Sequence, residues 1–462
     1  MKNSNLKQFF ILSLSLLFFF QGAVFAIEDT AEQVDKGKIN LSTSAEKKYV
    51  TKINFDEICE KAKEHSYDLK IADYNVLISK SGIVGARSEY FPKLMVSAGT
   101  EYTKNYRDIR ETTVMAIGES FINPYTRFQS VMGVTLSYNL FDFGVRKGHL
   151  DMAKEDVLIK ELERKEKLQE LNLTLVDTYS KIFMLSKQVV INREILKLEE
   201  KNLEYKQRLF EAGELSKSEL NDAVVKKEDC EKRIYELLAI LQESINWLSF
   251  YTGEEYNIED LKICAISTPN FDTTKNMDYT KSITWQKKEE ELKKKELEIK
   301  VVKRTNYPKV NAYSRYYLYG SNPNSYNNSL GNIQPSNFTV GGSVSMLAFD
   351  GLKNRSNIQK VTLEYKQLQV ERDKAIAELM TKLATMRTNL IYIDKQVENN
   401  KNMIKELTDK QKSVKRLVEK KLASPIEEND VTIELLQAQI ELEKNTITSN
   451  AIVRGIQILT TY

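Results

Sequence analysis

The sequence predicts a mixed fold, in which four β-strands form part of a membrane barrel and very long helices form a coiled coil. Three observations predict it. The chain of 462 residues begins with a segment typical of export. It also repeats itself once, and it holds two stretches of about 64 and about 73 residues without Gly or Pro. Scarce Gly (17) and Pro (7) favour long uninterrupted elements in the rest of the chain as well.

The first residues have the three parts of a signal peptide. Lys2 and Lys7 give a positive start, residues 9–20 form an apolar run, and Ala26 ends a small-residue cleavage site. The apolar run is shorter than the roughly 20 residues that a membrane-spanning helix needs. We therefore expect residues 1–26 to be removed on export and residues 27–52 to form a flexible N-terminal segment.

The mature chain consists of two copies of one unit. Residues 90–93 (Tyr-Phe-Pro-Lys) are echoed by residues 306–309 (Asn-Tyr-Pro-Lys), and Asn221-Asp222 is echoed by Asn429-Asp430. The offset is about 208 to 216 residues, and only two copies fit, which indicates a duplication. We place the first repeat at residues 53–252, a linker at 253–280 and the second repeat at 281–462.

Each repeat is expected to contain a long helical hairpin. The two Gly- and Pro-free stretches carry apolar residues at spacings of three and four, with Lys, Glu, Gln and Asn between them, which is typical of a coiled-coil seam. Helices of this length reach roughly 95 to 110 Å. Shorter partner helices are predicted at 214–252 and 426–454, and filler helices at 55–81 and 281–304.

Four segments alternate apolar and polar residues with the period of a strand. They are predicted at about 93–106, 128–141, 309–319 and 338–349. Each has the ten or so residues with which a tilted strand crosses a membrane. A soluble sheet with one buried face gives the same alternation, and the export segment together with the match of all four strands favours the barrel.

Four strands cannot close around a pore, since the smallest membrane barrels have about eight. Several chains must therefore contribute, and a closed ring of three would supply twelve strands. The polar connections at 107–127 and 320–337 are expected to be loops at the outer surface. Tyrosines near the strand ends, such as Tyr102 and Tyr316, suit the aromatic girdle of a membrane barrel.

At this point the pattern resembles the TolC family of outer-membrane efflux and secretion channels, from about residue 55 to the end. The resemblance rests on the tandem repeat, the Tyr-Pro-Lys strand entries and the Phe-Asp strand exits at 141–142 and 349–350. It implies a homotrimer with a twelve-stranded transmembrane barrel, four strands per chain, continued by an α-helical coiled-coil tunnel in the periplasm. It further implies a passive channel that works with a periplasmic adaptor and an inner-membrane transporter of RND, ABC or MFS type, in multidrug efflux or type I secretion.

The turns between long and short helices are the candidate docking tips in this resemblance. The first tip has Gly213 at the bend, Leu215 after it and Glu219 where the next helix starts. Ordinary helix capping also explains these residues, because Gly suits a left-handed helix end and Ser216 can cap the next helix. At the second tip, Leu422 is the candidate, and Lys421 stands where the family has Gly.

Glu427 and Asp430 follow the second tip at i and i+3, on one helix face. They are similar in position to the acidic residues that ring the tunnel entrance in the family. Three chains would bring six carboxylates near the axis, which would attract cations. A solvated acidic first helical turn is the competing interpretation.

Other functional classes have little support in the sequence. The formal net charge is +3, and no basic stretch interleaves with aromatic residues, which argues against nucleic-acid binding. The two His residues have neither metal-site nor catalytic spacing, so no catalytic residue, metal or cofactor is predicted. The alternative function is a structural tether or surface-display protein in the outer membrane, without transport.

Overall fold

The computed structural model describes residues 52–103, 128–258, 262–266 and 278–460 of the chain. The predicted signal peptide at 1–26, residues 27–51 and the predicted loop at 107–127 lie outside the described residues.

The first repeat runs from a short strand through two helices and two strands to a long helical hairpin. Its elements are β1 (Lys52–Ile53), α1 (Phe55–His65), α2 (Tyr67–Ser88), β2 (Lys93–Tyr102), β3 (Phe128–Phe141), α3 (Val145–Glu211) and α4 (Lys217–Thr252). A strand, β4 (Lys262–Ile263), and a 3₁₀ turn at Tyr279–Lys281 lie between the repeats. The second repeat contains α5 (Ile283–Arg304), β5 (Lys309–Asn322), α6 (Tyr326–Gly331), β6 (Gln334–Ser345), α7 (Lys353–Glu419) and α8 (Pro425–Thr460).

Equivalent helices of the two repeats have equal lengths. The long helices α3 and α7 each have 67 residues, the return helices α4 and α8 each have 36, and α2 and α5 each have 22. At 1.5 Å per residue, 67 residues extend about 100 Å. The duplication that the short sequence echoes indicate is therefore preserved in the dimensions of the fold.

The predicted helix at 55–81 is wrong in two respects, because the structure divides it at Ser66 and extends it to Ser88. Ser66 leaves the helical region, with φ −50° and ψ 121°, and its hydroxyl accepts a hydrogen bond from the backbone N–H of Leu69. This cap lets α1 and α2 take different directions. The side chains of Phe55 and Ile58 on α1 are buried as a result.

The four longer strands form one antiparallel sheet in the order β2-β3-β5-β6. The fourth strand lies at Gln334–Ser345, about four residues before its predicted position, because β5 begins at Lys309, opposite Ser345, and offers no partner beyond that point. The third continues to Asn322, because residues 320–322 pair with 128–130 of β3. The first runs to Tyr102, which pairs with Phe128, and residues 104–106 of its predicted range lie outside the described residues.

The main core lies midway along the first hairpin. Leu175, Tyr179 and Ile182 of α3 pack with Leu248 of α4 and Ile58 of α1, and all are almost fully buried. The Tyr179 hydroxyl donates a hydrogen bond to the carbonyl oxygen of Cys264, 2.6 Å away. This bond ties the segment between the repeats to the long helix.

The long elements lie side by side in the order α2, α3, α5, α7. Helix α5 packs on both α3 and α7, and ion pairs connect it to each, for example Lys294 to Asp156 on α3 and Lys295 to Glu364 on α7. Helix α8 packs on its hairpin partner α7 and also on α3. Among the described residues, α2 packs mainly on α3, so the layer ends at α2 on one side and at α7 on the other.

Candidate functional site

The sheet has one apolar and one polar face, which run unbroken across all four strands. Directly paired residues point to the same face, and Val96 pairs with Val134, Val134 with Tyr316, and Tyr316 with Phe338. Val340, on the same face, is 70% exposed. A continuous, solvent-exposed apolar sheet face suits contact with lipid.

The opposite face carries small and polar side chains, with tyrosines lying over glycines of the neighbouring strands. Tyr317 pairs with Gly133, and Tyr313 pairs with Gly341. A Cβ atom at Gly133 would clash with the Tyr317 ring, and one at Gly341 would lie 2.7 Å from the Tyr313 hydroxyl. The guanidinium of Arg315 stacks on the Tyr313 ring at 4.6 Å. Because Gly133 and Gly341 have no side chains, the rings of Tyr317 and Tyr313 can lie over them on this face of the sheet.

The first strand-to-helix junction is organised by Asp142 and Arg146. Asp142 accepts hydrogen bonds from the backbone N–H groups of Gly144 and Arg146, which caps the start of α3. The Arg146 side chain donates from Nε to Asp142 at 3.0 Å and from Nη2 to the Leu140 carbonyl oxygen. Its guanidinium also lies 4.9 Å from the centre of the Tyr90 ring. One arginine thus holds the end of β3, the start of α3 and the segment after α2 together.

The second junction is built around Asp350, at the equivalent position. Its carboxylate accepts hydrogen bonds from the backbone N–H of Asn354 at 2.8 Å and from the side-chain amide of Asn306 at 3.0 Å. These donors lower the pKa of the Asp350 carboxyl, the Asn306 amide contributing most. Asn354 stands where the first repeat has Arg146, so this junction lacks the buried ion pair.

The first hairpin tip ends and restarts its helices by local hydrogen bonds. Gly213 has φ +78°, and the N–H groups of Gly213 and Glu214 donate to the carbonyls of Phe210 and Leu209, which is the Schellman arrangement. Ser216 and Glu219 then form a capping box, in which each side chain accepts from the other's backbone N–H. The Ser216 hydroxyl and N–H lower the pKa of the Glu219 carboxyl.

The second tip adopts the same turn although its sequence differs. Lys421 has φ +59°, and the N–H groups of Lys421 and Leu422 donate to the carbonyls of Val418 and Leu417. Pro425 occupies the first position of α8, where its missing N–H costs nothing. Leu422 is 73% exposed. In the repeat, Leu422 corresponds to Glu214 of the first tip and not to Leu215. The Leu215 side chain is half-buried, so it offers less exposed apolar area than Leu422.

Replacing Lys421 with Gly should stabilise the second tip. A side chain at φ +59° costs roughly 1 kcal/mol relative to Gly, so we expect K421G to raise the free energy of unfolding by about that amount. Thermal unfolding followed by far-UV circular dichroism measures it. The matched control is Gly213→Lys, which should destabilise by a similar amount. A lower unfolding temperature for K421G would contradict the assignment of this turn.

The structure joins Asp430 to the first repeat. The side-chain amide of Asn202, on α3, donates to Asp430 Oδ1 at 3.0 Å, and the Asn429 amide donates to Asn202 Oδ1 at 2.8 Å. Asn202 is buried in the interface between α3 and α8. The two tips therefore lie at the same end of the molecule, since Asn202 is only about ten residues, or ~15 Å, before the first turn. Glu427 is exposed on the first turn of α8.

Two important residues were missed by sequence reasoning. Arg146 could have been found from its i,i+4 spacing to Asp142 on a helix start. Asn202 had a weaker signal, a polar residue seven positions after Ile195 in the apolar seam of α3. Its partners lie 227 and 228 residues away, so no local pattern could name them.

The described residues contain no group of three or more His, Cys, Asp or Glu side chains that could hold a metal ion. In the same part of the chain, no helix combines the length and the apolar character that crossing a membrane requires.

Comparison with known proteins matches part of the chain to a described family. Residues 58–254, which cover most of the first repeat, match the profile of the family described as "Outer membrane efflux protein". A search of curated protein sequences finds no match.

Solved structures share the fold over nearly the whole chain. The Campylobacter jejuni CmeC outer membrane channel matches with a TM-score of 0.71 at 14% identity, covering 91% of this chain and 90% of CmeC. The outer membrane protein VceC of Vibrio cholerae matches with a TM-score of 0.70 at 13% identity, covering 88% and 96%. The open state of the Neisseria gonorrhoeae MtrE outer membrane channel matches with a TM-score of 0.60 at 14% identity, covering 88% and 91%.

These findings confirm the predicted resemblance to the TolC family and the predicted fold class. Within this shared fold, the chain has one four-stranded antiparallel sheet and a pair of long helical hairpins. The profile match over residues 58–254 agrees with the predicted outer-membrane localisation and efflux role.

Proposed function

We propose that three copies of this chain form a closed channel-tunnel, which passively conducts substrates across the outer membrane. The tunnel receives them from a periplasmic adaptor and an inner-membrane transporter, in a tripartite efflux pump or a type I secretion system. The observation that carries the proposal is the contact between the two repeats. Within one chain, the strands and helices of the first repeat contact those of the second on one side. The equivalent contact on the other side can form only with a neighbouring copy.

The sheet supports this closure. Strand β3 of the first repeat pairs with β5 of the second, whereas β2 and β6 are edge strands of the four-stranded sheet. In the duplication, β2 is equivalent to β5, and β6 is equivalent to β3. A pairing of β6 with β2 of the next copy therefore repeats the internal pairing of β3 with β5. Unpaired edges in a lipid environment would leave backbone groups without hydrogen bonds, so closure of the ring satisfies them.

The helices support the same arrangement. Helix α5 is covered on two opposite sides, by α3 and α7. Its equivalent, α2, buries one side against α3 and presents a stripe of exposed apolar residues on the opposite side. The stripe consists of Tyr67, Ile71, Tyr74 and Ile78. The long helix α7 also exposes apolar side chains along its length, including Leu363, Val370 and Ile391. A neighbouring α7 that packs on α2 covers both surfaces.

The tips are the proposed docking points of the adaptor. Gly213, Leu215 and Glu219 on the first hairpin and Leu422 on the second lie at the end of the molecule remote from the sheet. The exposed Leu422 side chain offers apolar area for a partner. Helix capping accounts for the conformation of Gly213 and for the hydrogen bonds of Glu219. These two residues would therefore support docking only indirectly, because they fix the shape of the turn.

The native mass of the detergent-extracted protein tests the assembly, and conductance in a planar bilayer tests the channel. A trimer that conducts ions supports the proposal. A monomer, or a trimer without conductance, would contradict it, and the second result would instead support a structural tether.

Neutralising the proposed acidic ring should change ion selectivity. With Glu427→Gln and Asp430→Asn combined, six carboxylates are lost per trimer, so we expect weaker cation selectivity and weaker block by multivalent cations. Asn at position 430 keeps an oxygen that can accept from Asn202, which preserves the helix contact. The reversal potential in a salt gradient measures the effect.

The matched control is Glu219→Gln, at the position equivalent to Glu427. The Glu219 carboxylate keeps its charge when it accepts hydrogen bonds from the Ser216 hydroxyl and N–H, but it lies on the first tip and is not part of the proposed ring. We therefore expect this control to leave the reversal potential unchanged. An unchanged reversal potential in the double variant would rule out the acidic ring.

A further inference from the structure

The connection between β5 and β6 folds back onto the sheet. Helix α6 and the residues that flank it cover the end of the sheet remote from the long helices. The Ser329 hydroxyl, on α6, lies 2.7 Å from the Ser130 hydroxyl of β3, and both side chains are buried. The backbone oxygen of Ser329 and the side chain of Ile333 occupy the space where Gly320 would carry a Cβ atom.

The face on which this connection lies follows from the strand register. Ser130 pairs with Gly320, and both lie two residues from Met132 and Leu318, which also pair with each other. Residues two apart on a strand share a face. Met132 belongs to the apolar face with Val134, so α6 lies on the apolar face of the sheet, which is the lipid-facing side in the proposed channel.

An aromatic cluster marks the same place. The ring centres of Tyr326, on α6, and Phe128, on β3, are 4.5 Å apart, and those of Phe128 and Tyr102 are 5.0 Å apart. Together with Pro323 and Asn324, these three rings line an open cleft. Aromatic rings with a polar group at one end favour the boundary between hydrocarbon and water.

The cluster stands at the height of the outer leaflet surface. Tyr102 ends β2, which starts at Lys93 beside the helices. Ten residues at about 3.3 Å each give ~33 Å, and a tilt of about 40° reduces this to ~25 Å, the height of the apolar band of a membrane barrel. The outer end of β2 therefore coincides with the far edge of the hydrocarbon.

The composition of the connection fits that boundary. Residues 322–334 contain no charged side chain, although 29% of the whole chain is charged. Asn and Ser make up seven of these thirteen residues, and Leu330 on α6 is exposed beside them. Amide and hydroxyl groups can exchange hydrogen bonds with polar headgroups, while Leu330 and the rings enter the hydrocarbon edge.

We propose that the β5–β6 connection, with the Tyr102–Phe128–Tyr326 cluster, docks into the headgroup layer of the outer leaflet, on the outside of the barrel wall. The occupant of the cleft is the lipid headgroup region, since the cleft continues the lipid-facing surface of the sheet. This inference rests on the proposed membrane channel. The β5–β6 connection would then act as an anchor that fixes the depth of the barrel in the membrane. It would not enter the lumen of the barrel.

Depth-dependent fluorescence quenching tests the proposal in the full-length assembled protein. The background variant carries Trp247→Phe and Trp285→Phe, which removes both tryptophans of the chain. Tyr326→Trp is then reconstituted into phosphatidylcholine vesicles with bromine atoms on the acyl chains, either close to the headgroup or close to the chain end. We expect roughly twofold stronger quenching by the shallow bromines, because the ring lies at the interface.

Two matched probes set the scale. Val134→Trp, in the middle of the apolar face, should be quenched most by the deep bromines. Tyr317→Trp, on the polar face, should be quenched by neither. If Tyr326→Trp does not assemble, Asn324→Trp at the rim of the cleft replaces it, with the same expected result.

The outcomes distinguish a failure of the proposed anchor from a failure of the proposed membrane barrel. Quenching of Val134→Trp without quenching of Tyr326→Trp would overturn the anchor and leave the barrel standing. Absence of quenching at both positions would remove the membrane barrel, and with it both the anchor and the proposed function.

Discussion

Replacing Ile78 with Glu is expected to prevent assembly, so that the chain is extracted from the membrane as a monomer. Ile78 is 67% exposed on the single chain, and it lies on the opposite side of α2 from Leu69, Ala72 and Val76, which pack against α3. In the proposed ring, this stripe is covered by α7 of the next copy. A carboxylate buried there without a partner costs several kcal/mol at each of three interfaces.

Native mass in detergent measures the result, and two further variants sharpen it. Val370→Glu, on the exposed side of α7, should have the same effect from the other side of the interface. The matched control is Lys300→Glu, an exposed position on α5, the equivalent helix of the second repeat. Because α5 already has both neighbours within its own chain, this control should remain a trimer. Trimers of normal thermal stability in both Glu variants of the apolar surfaces would refute the interface.

Replacing Asp142 with Ala is expected to be the most destabilising single change at the barrel–tunnel junction. The Asp142 and Arg146 side chains are only 6% and 12% exposed, so the pair is largely shielded from water. Removing one partner leaves the other charge buried and also removes the cap of α3, which together cost about 3–5 kcal/mol. The sheet end and the long helix would then lose their common attachment.

The loss should appear as a lower temperature at which the trimer band disappears on a semi-native gel. The matched control is Asp350→Ala in the second repeat. Asp350 makes two hydrogen bonds that resemble those of Asp142, but it has no buried arginine beside it. We therefore expect a clearly smaller decrease for this control. Equal decreases in the two variants would mean that the caps matter and the ion pair does not.

Much of the fold could be predicted from local patterns. The long helices follow from stretches without Gly or Pro and from apolar spacings of three and four, and both repeats indeed give 67-residue helices. The faces of the strands also followed from alternation, since Val96, Val134 and Val340 lie on one face. Periodicity is a property of neighbouring residues, so one sequence is sufficient to detect it.

The candidate site was predictable only in part. Gly213 predicted a left-handed helix end and Ser216 predicted a helix cap, and the structure has both. Lys421 stands where the family has Gly, yet it adopts the same left-handed conformation as Gly213. The hydrogen bonds of the turn and the packing of α8 on α3 outweigh the roughly 1 kcal/mol that a non-glycine residue pays there.

The duplication, the length of the helices and the two faces of the strands follow from the sequence alone, because each depends on composition or spacing along the chain. The ends of the strands, the contact of α8 with α3 through Asn202 and the position of α6 on the apolar face became known only from the three-dimensional fold. The same is true of the Arg146 side chain, which meets backbone groups from two other segments. These features depend on which distant segments pair and in which register, and a register is settled by all of its partners together.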